Sequence, residues 1–65
     1  MYNILFIGIG KMGSPMAGYL SKKHDVSIYN RTKSKCDNWI KNYKGKVIDK
    51  LSKSNQKYDA ILDGS

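Results

Sequence analysis

The chain has 65 residues, with twelve Lys and Arg against five Asp and with a single cysteine and a single histidine. A chain of this length forms at most one small domain and buries only about 60% of its unfolded surface. One cysteine excludes an internal disulfide, and with one histidine we expect no metal site. The sequence shows neither a signal peptide nor an apolar run long enough to cross a membrane, and the free cysteine predicts a reducing, cytoplasmic setting.

The formal net charge of +7 permits binding to polyanions such as nucleic acid. The lysines are scattered, however, with no run of five and no interleaved aromatic residues. This pattern is typical of a solvated surface rather than of a dedicated nucleic-acid interface. We therefore interpret the charge as surface charge and keep a nucleic-acid-binding module as an alternative.

The first two predicted elements are a strand and a helix. The unbroken apolar run Ile4–Ile7, bounded by glycine, predicts a strand over residues 3–9 that is covered on both faces. A helix is predicted over residues 12–22, with Pro15 in its first turn, where a missing N–H costs little. One face of this helix is expected to combine large and small residues toward the core. They are Met12, Met16 and Leu20, with Gly13 and Ala17 beside them.

A second strand is predicted over residues 25–30, where β-branched and aromatic residues cluster. His24 lies in the connection before it, and we assign it no chemistry. Thr32 is a good N-cap for a helix that continues to about Tyr43, and Gly45 is placed to end that helix. Four residues of this helix recur at helical spacing and are expected to pack on the sheet: Cys36, Trp39, Ile40 and Tyr43.

Two further strands are predicted over residues 46–48 and 58–62, with a polar segment and at most a brief helix between them. The order strand, helix, strand, helix, strand, weak helix, strand favours an α/β fold with a parallel sheet and right-handed crossovers. We interpret it as a partial Rossmann fold, β-α-β-α-β-(α)-β. Such a half of a doubly wound sheet leaves an edge and apolar faces uncovered, so the fold is expected to be incomplete within residues 1–65.

A glycine turn follows the first strand. Gly8, Gly10 and Gly13 form a GxGxxG motif between the predicted strand and helix. Gly8 suits the tight turn, Gly10 lets a pyrophosphate approach the backbone, and Gly13 lets the helix lie close to the strand. The N–H groups and the positive end of the helix dipole then face the phosphates. Lys11 could add positive charge there, or its side chain could point outward.

The second strand ends at Asn30, where many dinucleotide-binding folds place an acidic residue that binds the ribose hydroxyls. Asn30 is uncharged and Arg31 and Thr32 follow it. A guanidinium, a hydroxyl and a helix N-terminus suit a 2′-phosphate, which favours NADP over NAD, although NAD stays possible. The alternative is that Arg31 is simply exposed and Thr32 simply a cap. Lysines in the next turn add positive charge that opposes the helix dipole unless an anion binds: Lys33 and Lys35.

The segments Phe6–Leu20 and Tyr29–Thr32 resemble the N-terminal region of the 3-hydroxyacid dehydrogenase family, the 3-hydroxyisobutyrate dehydrogenase group related to 6-phosphogluconate dehydrogenase. The glycine turn followed by Met-Gly, two residues and Met-Ala carries most of the resemblance. The chain departs from the family at Tyr19, usually Asn, and at Lys23, usually Gly. The expected cofactor-binding residues are Gly8, Ile9, Gly10, Lys11, Met12, Gly13, Asn30, Arg31 and Thr32.

The resemblance implies that residues 1–65 are the N-terminal part of a dinucleotide-binding domain and hold no catalytic residue. Family members are much longer, with a helical second domain that carries the substrate contacts and a catalytic lysine and through which they often associate. The complete protein would transfer a hydride between NADP or NAD and a small 3-hydroxy acid. Alternatives are a fragment of an imine or pyrroline carboxylate reductase, or a non-catalytic nucleotide-binding or nucleic-acid-binding module.

Overall fold

A computed structural model describes residues 1–51 and 57–63. In chain order, the elements are strand β1 (Asn3–Ile7), helix α1 (Gly13–Ser21), strand β2 (Asp25–Tyr29), helix α2 (Lys33–Asn42), strand β3 (Lys46–Val47) and strand β4 (Ala60–Asp63). Every predicted strand and both main helices are present. The brief helix expected between the last two strands falls mostly on residues 52–56, outside the described part of the chain.

The four strands form one sheet in the order β3-β2-β1-β4, and every pairing in it is parallel. Strand β1 lies in the centre with Ile4 opposite Val26 and Ile7 opposite Tyr29. Parallel neighbours require crossovers, which α1 supplies between β1 and β2 and α2 supplies between β2 and β3. The arrangement confirms the expected partial Rossmann fold.

Both helices pack against the same face of the sheet. Alternate residues of β1 and β2 present that face, because side chains along a strand alternate between its two sides. Ala17 of α1 and Trp39 of α2 belong to the same buried cluster as these strand residues. The strand residues of the cluster are Ile4, Phe6, Val26 and Ile28.

Helix α1 contacts the core mainly with its small residues, so the expected inner face is wrong for Met12 and Met16, while Leu20 is partly buried against the core as expected. The side chains of Met12 and Met16 are 80% and 54% exposed, whereas Ala17 is fully buried. Gly13 and Gly18 are buried as well. Small residues let the helix axis approach the sheet and α2 closely, and the methionines are left on the outer side.

Helix α2 buries Cys36 and Trp39 as expected, but Ile40 is 39% exposed and Tyr43 is only partly buried. The helix ends at Asn42, with Tyr43 already extended, so Gly45 does not end it. Gly45 is needed for a different reason. A Cβ at this position would lie 2.9 Å from the backbone oxygen of Val26 and would overlap the Trp39 ring.

The strand boundaries differ from the sequence expectation by one to two residues. Strand β1 ends at Ile7 rather than residue 9 because Gly8 adopts a φ of 85° and turns the chain out of the sheet. Strand β4 begins at Ala60 instead of residue 58. Within the described residues, no helix combines the length and apolar character that crossing a membrane would require.

Candidate dinucleotide-binding site

The two sequence motifs lie side by side at the carboxyl edge of the sheet. Ile7, the last residue of β1, is paired with Tyr29, the last residue of β2. The backbone N–H of Gly8 donates a 2.7 Å hydrogen bond to the Tyr29 carbonyl oxygen. The chain therefore stays attached to β2 for one residue beyond β1. Ligands of open parallel sheets bind at this edge.

The backbone at Gly8 has a φ of 85°, within the left-handed region that favours glycine. The neighbouring residue Ile9 turns its side chain into the core, where it is 4% exposed. Its backbone N–H donates a 3.2 Å hydrogen bond to Oδ1 of Asn30. Ile9 is thus an internal anchor of the glycine turn.

Helix α1 begins immediately after the turn. Met12 occupies its N-cap position without a side-chain cap, and the first turn contains no acidic residue. The Ser14 N–H donates a 3.0 Å hydrogen bond to the Gly10 carbonyl oxygen. The N–H groups of the residues before Ser14 come too early in the helix to have an intrahelical acceptor. The buried Gly13 brings this helix end close to the sheet. The N-terminal end of α1 therefore offers N–H donors and a positive dipole end that suit a phosphate.

Asn30 connects the two loops of the site. While its Oδ1 accepts from the Ile9 N–H, its Nδ2 donates a 3.0 Å hydrogen bond to the Thr32 carbonyl oxygen. The side-chain amide thus bridges the glycine turn and the start of α2. Sequence reasoning identified Asn30 as a cofactor-binding residue in the place of a ribose-binding acid and did not predict this bridge.

Arg31 and Thr32 are both exposed beside this bridge. The Arg31 guanidinium has no hydrogen bond or ion pair with any residue in 1–51 or 57–63. Thr32 occupies the N-cap position of α2, as expected, but its hydroxyl does not cap the helix. Both groups are therefore available to an anion at the start of α2.

The two lysines in the first turn of α2 differ in their surroundings. Lys33 Nζ forms an exposed ion pair of 2.7 Å with Asp49. The hydrogen bond and the opposite charge raise the pKa of Lys33 and lower the pKa of Asp49. Lys35 instead lines a groove beside the glycine turn. Asp49 thus offsets part of the positive charge that the sequence predicts here.

That groove has a volume of about 400 Å³ and separates the start of α1 from α2. Gly10, Lys11 and Ser14 line one side, and residues spaced along one face of α2 line the other. The α2 residues are Lys35, Asn38, Trp39, Asn42 and Tyr43, and Ile9 lies between the two sides. Lys11 is exposed at its rim.

The Cys36 thiol lies buried behind the start of α2 and is a free thiol. Burial raises its pKa, and the backbone of Asn30 partly offsets this effect. A neutral, inaccessible thiol is a packing group. The sequence expectation that Cys36 is a buried apolar residue is confirmed.

Sequence reasoning missed Asn38, Asn42 and Asp49 as residues around the site. Asn38 and Asn42 are one turn apart on α2, and the helical spacing from Trp39 could have placed them toward α1. Asp49 follows β3, and the parallel order of the strands could have placed it at the same edge as Arg31. The pairing of Asp49 with Lys33 had no sequence signal.

A glycine turn with a left-handed first glycine, an uncapped helix N-terminus and exposed cationic groups after the next strand define a Rossmann-type dinucleotide-binding unit. Comparison with known families makes this more specific. The NAD-binding domain of 6-phosphogluconate dehydrogenase matches residues 3–63. The chain belongs to this family.

Two curated proteins are similar to the chain. An uncharacterized oxidoreductase of Shewanella frigidimarina is 45% identical over 63 residues, which cover 95% of this chain and 22% of the relative. The chloroplastic glyoxylate/succinic semialdehyde reductase 2 of Arabidopsis thaliana is 61% identical over 36 residues, 54% of this chain and 10% of the relative. The chain therefore spans about a fifth or less of the length of these relatives. No solved structure gives a significant match.

Proposed function

We propose that residues 1–65 form the N-terminal part of the cofactor-binding domain of an oxidoreductase and that the site prefers NADP to NAD. The observation that carries the proposal is the meeting of the glycine turn with the exposed Arg31 guanidinium, which has no partner among residues 1–51 and 57–63, at one edge of the sheet. The helix N-terminus suits the pyrophosphate, and the guanidinium suits a 2′-phosphate dianion.

The chain's own residues would bind and orient the adenosine half of the cofactor. The Gly10–Gly13 segment would approach the pyrophosphate closely, while Arg31 and Thr32 would contact the 2′-phosphate and Lys35 would contribute charge from the groove. When bound, a nicotinamide cofactor supplies or accepts the hydride. Residues that act on the substrate would lie in a further domain of the complete protein.

The proposed substrate is a small 3-hydroxy acid or its oxo counterpart. The resemblance of the glycine turn and the Asn30–Thr32 segment to 3-hydroxyacid dehydrogenases supports this class. The Arabidopsis relative, by its name, reduces two small oxo acids, which supports a carbonyl carried on a short carboxylic acid. An imine or pyrroline carboxylate reductase is the alternative, and turnover of the complete protein with each substrate class would separate them.

Cofactor binding is tested by titration with NADPH and NADH, detected through energy transfer from Trp39, which lines the groove beside the glycine turn. The chain has one tryptophan, so the signal has one source. We expect saturable binding with tighter NADPH affinity. Arg31→Ala should weaken NADPH about tenfold or more and leave NADH nearly unchanged, since a charged hydrogen bond to phosphate is lost.

The matched control is Lys22→Ala, which removes one exposed positive charge at the opposite end of α1. The Lys22→Ala variant should change the affinities for NADPH and NADH only by the effect of the lower net charge. Equal affinity of the Arg31→Ala variant and the unsubstituted protein for NADPH would reject the 2′-phosphate assignment. Steeply salt-dependent DNA binding without saturable nucleotide binding would instead favour the nucleic-acid module.

A further inference from the structure

We propose that Asn30 is a positioning residue that sets cofactor affinity and selectivity by bridging the glycine turn and the start of α2. The proposal rests on the proposed dinucleotide-binding function. In it, Asn30 acts through the Ile9 N–H and the Thr32 carbonyl oxygen. Its bonds to these two groups measure 3.2 and 3.0 Å.

The need for this bridge follows from the end of the sheet. The Gly8 N–H still finds a strand partner, the Tyr29 carbonyl oxygen at 2.7 Å. Strand β2 ends at Tyr29, so the next donor, the Ile9 N–H, lies beyond the strand ladder. Asn30 Oδ1 satisfies this partly buried donor in place of a backbone carbonyl. An unpaired donor there would destabilise the turn.

The orientation of the amide is dictated by its two partners. The Ile9 N–H is a donor and must face the Oδ1 atom of the Asn30 amide. The Thr32 carbonyl oxygen is an acceptor and must face the Nδ2 group of the same amide. The opposite orientation would place donor against donor and acceptor against acceptor. Asn therefore fits both partners at once, whereas Asp offers only acceptors and would repel the Thr32 carbonyl oxygen.

This orientation also explains how an uncharged residue contributes to selectivity. The lone pairs of Oδ1 are turned toward the Ile9 N–H rather than toward a ribose diol. The bond to Thr32 holds the loop that carries Arg31 against the glycine turn. Asn30 thus keeps the sites for the pyrophosphate and the 2′-phosphate at a fixed separation, and it adds no negative charge beside the phosphate.

The first test compares Asn30→Ala with Arg31→Ala in the same NADPH and NADH titrations. Loss of the bridge frees both loops, so Asn30→Ala should weaken both cofactors about fivefold or more, in contrast to the NADPH-specific effect of Arg31→Ala. The matched control is Asn3→Ala, which removes a side-chain amide bonded to the Lys57 carbonyl oxygen at the opposite end of β1. It should leave both affinities unchanged.

The second test replaces Asn30 by Asp, which conserves size and changes chemistry. The carboxylate loses the Thr32 bond and adds negative charge, so NADPH affinity should fall at least tenfold relative to NADH affinity. An unchanged ratio in Asn30→Asp, or an Asn30→Ala effect confined to NADPH, would overturn the proposal.

The third measurement needs no cofactor and separates this proposal from the proposed function. Hydrogen exchange of the Ile9 amide, followed by NMR, should be slow in the unsubstituted protein and clearly faster in Asn30→Ala, whereas the carboxylate of Asn30→Asp can still accept this N–H and should change the exchange less. Asn30→Ser provides a milder variant if Asn30→Ala unfolds. Unchanged exchange would show that no bridge exists, whereas failure of the unsubstituted protein to bind either nucleotide would reject the proposed function.

Discussion

The indole N–H of Trp39 donates a 3.1 Å hydrogen bond to the backbone carbonyl oxygen of Ser14. Ser14 lies in the first turn of α1, and Trp39 is 1% exposed in the middle of α2. The bond ties the second helix to the helix end that follows the glycine turn. One aromatic side chain therefore fills the core and fixes the wall of the groove.

Replacing Trp39 by Phe should lower the free energy of unfolding by about 1–3 kcal/mol, because it removes this hydrogen bond and leaves unfilled volume. Urea unfolding followed by circular dichroism measures the effect without relying on tryptophan fluorescence. Tyr19→Phe is the control, since the Tyr19 ring is 59% exposed. Equal stability of Trp39→Phe and the unsubstituted protein would show that the bond contributes nothing.

Replacing Gly8 by Ala should destabilise the protein by about 1–2 kcal/mol, since an L-residue with a Cβ is strained in the left-handed region. The observed φ of 85° is the cause. Asn tolerates positive φ better than Ala, so Gly8→Asn should be less destabilising than Gly8→Ala. The thermal unfolding midpoints of the three proteins give the order, and the reverse order would contradict the geometry of this turn.

Replacing Gly18 by Ala should destabilise the protein, although alanine is the better helix former by about 1 kcal/mol. A Cβ at Gly18 would overlap the Tyr43 ring, which is packed against the core. The overlap is tested by repeating the substitution in a Tyr43→Ala background. There, Gly18→Ala should become neutral or stabilising. Destabilisation of the same size in both backgrounds would point to a cause other than Tyr43.

The Lys33–Asp49 pair should shift a pKa without a measurable change in stability, because both side chains are exposed. NMR titration should show that the Asp49 pKa lies below its ordinary range and returns toward it in Lys33→Ala. Since the folded-state pKa is lowered, any stabilisation is present above the unfolded pKa and is lost as the pH falls through the folded pKa. A marked loss of neutral-pH stability in Asp49→Asn would contradict this view.

The Cys36 thiol should react slowly with alkylating reagents in the folded protein. Burial raises the pKa of the thiol, so the thiolate fraction is low. Because Cys36 is only 2% exposed, the access of the reagent is low as well. The rate of iodoacetamide labelling should rise strongly when the protein is unfolded in urea. Equal rates in folded and unfolded protein would show that the start of α2 opens freely.

The sequence by itself determined the order of the strands and helices along the chain, the glycine turn and the class of ligand. The apolar run of β1, the glycines after it and the Asn30–Thr32 segment are local signals, and each has a local physical cause. The burial of Trp39 and Cys36 followed from helical spacing in the same way. Local patterns are enough where a feature depends on neighbours in the chain.

Only the tertiary structure decided which face of α1 packs and what holds the site together. The helical spacing predicted a mixed inner face of large and small residues, but close approach of the helix to the sheet buried the small ones, kept Leu20 partly buried and left Met12 and Met16 exposed. The bridge from Ile9 through Asn30 joins residues 21 positions apart. Whether two such groups meet depends on strand register and helix packing, which no local spacing encodes.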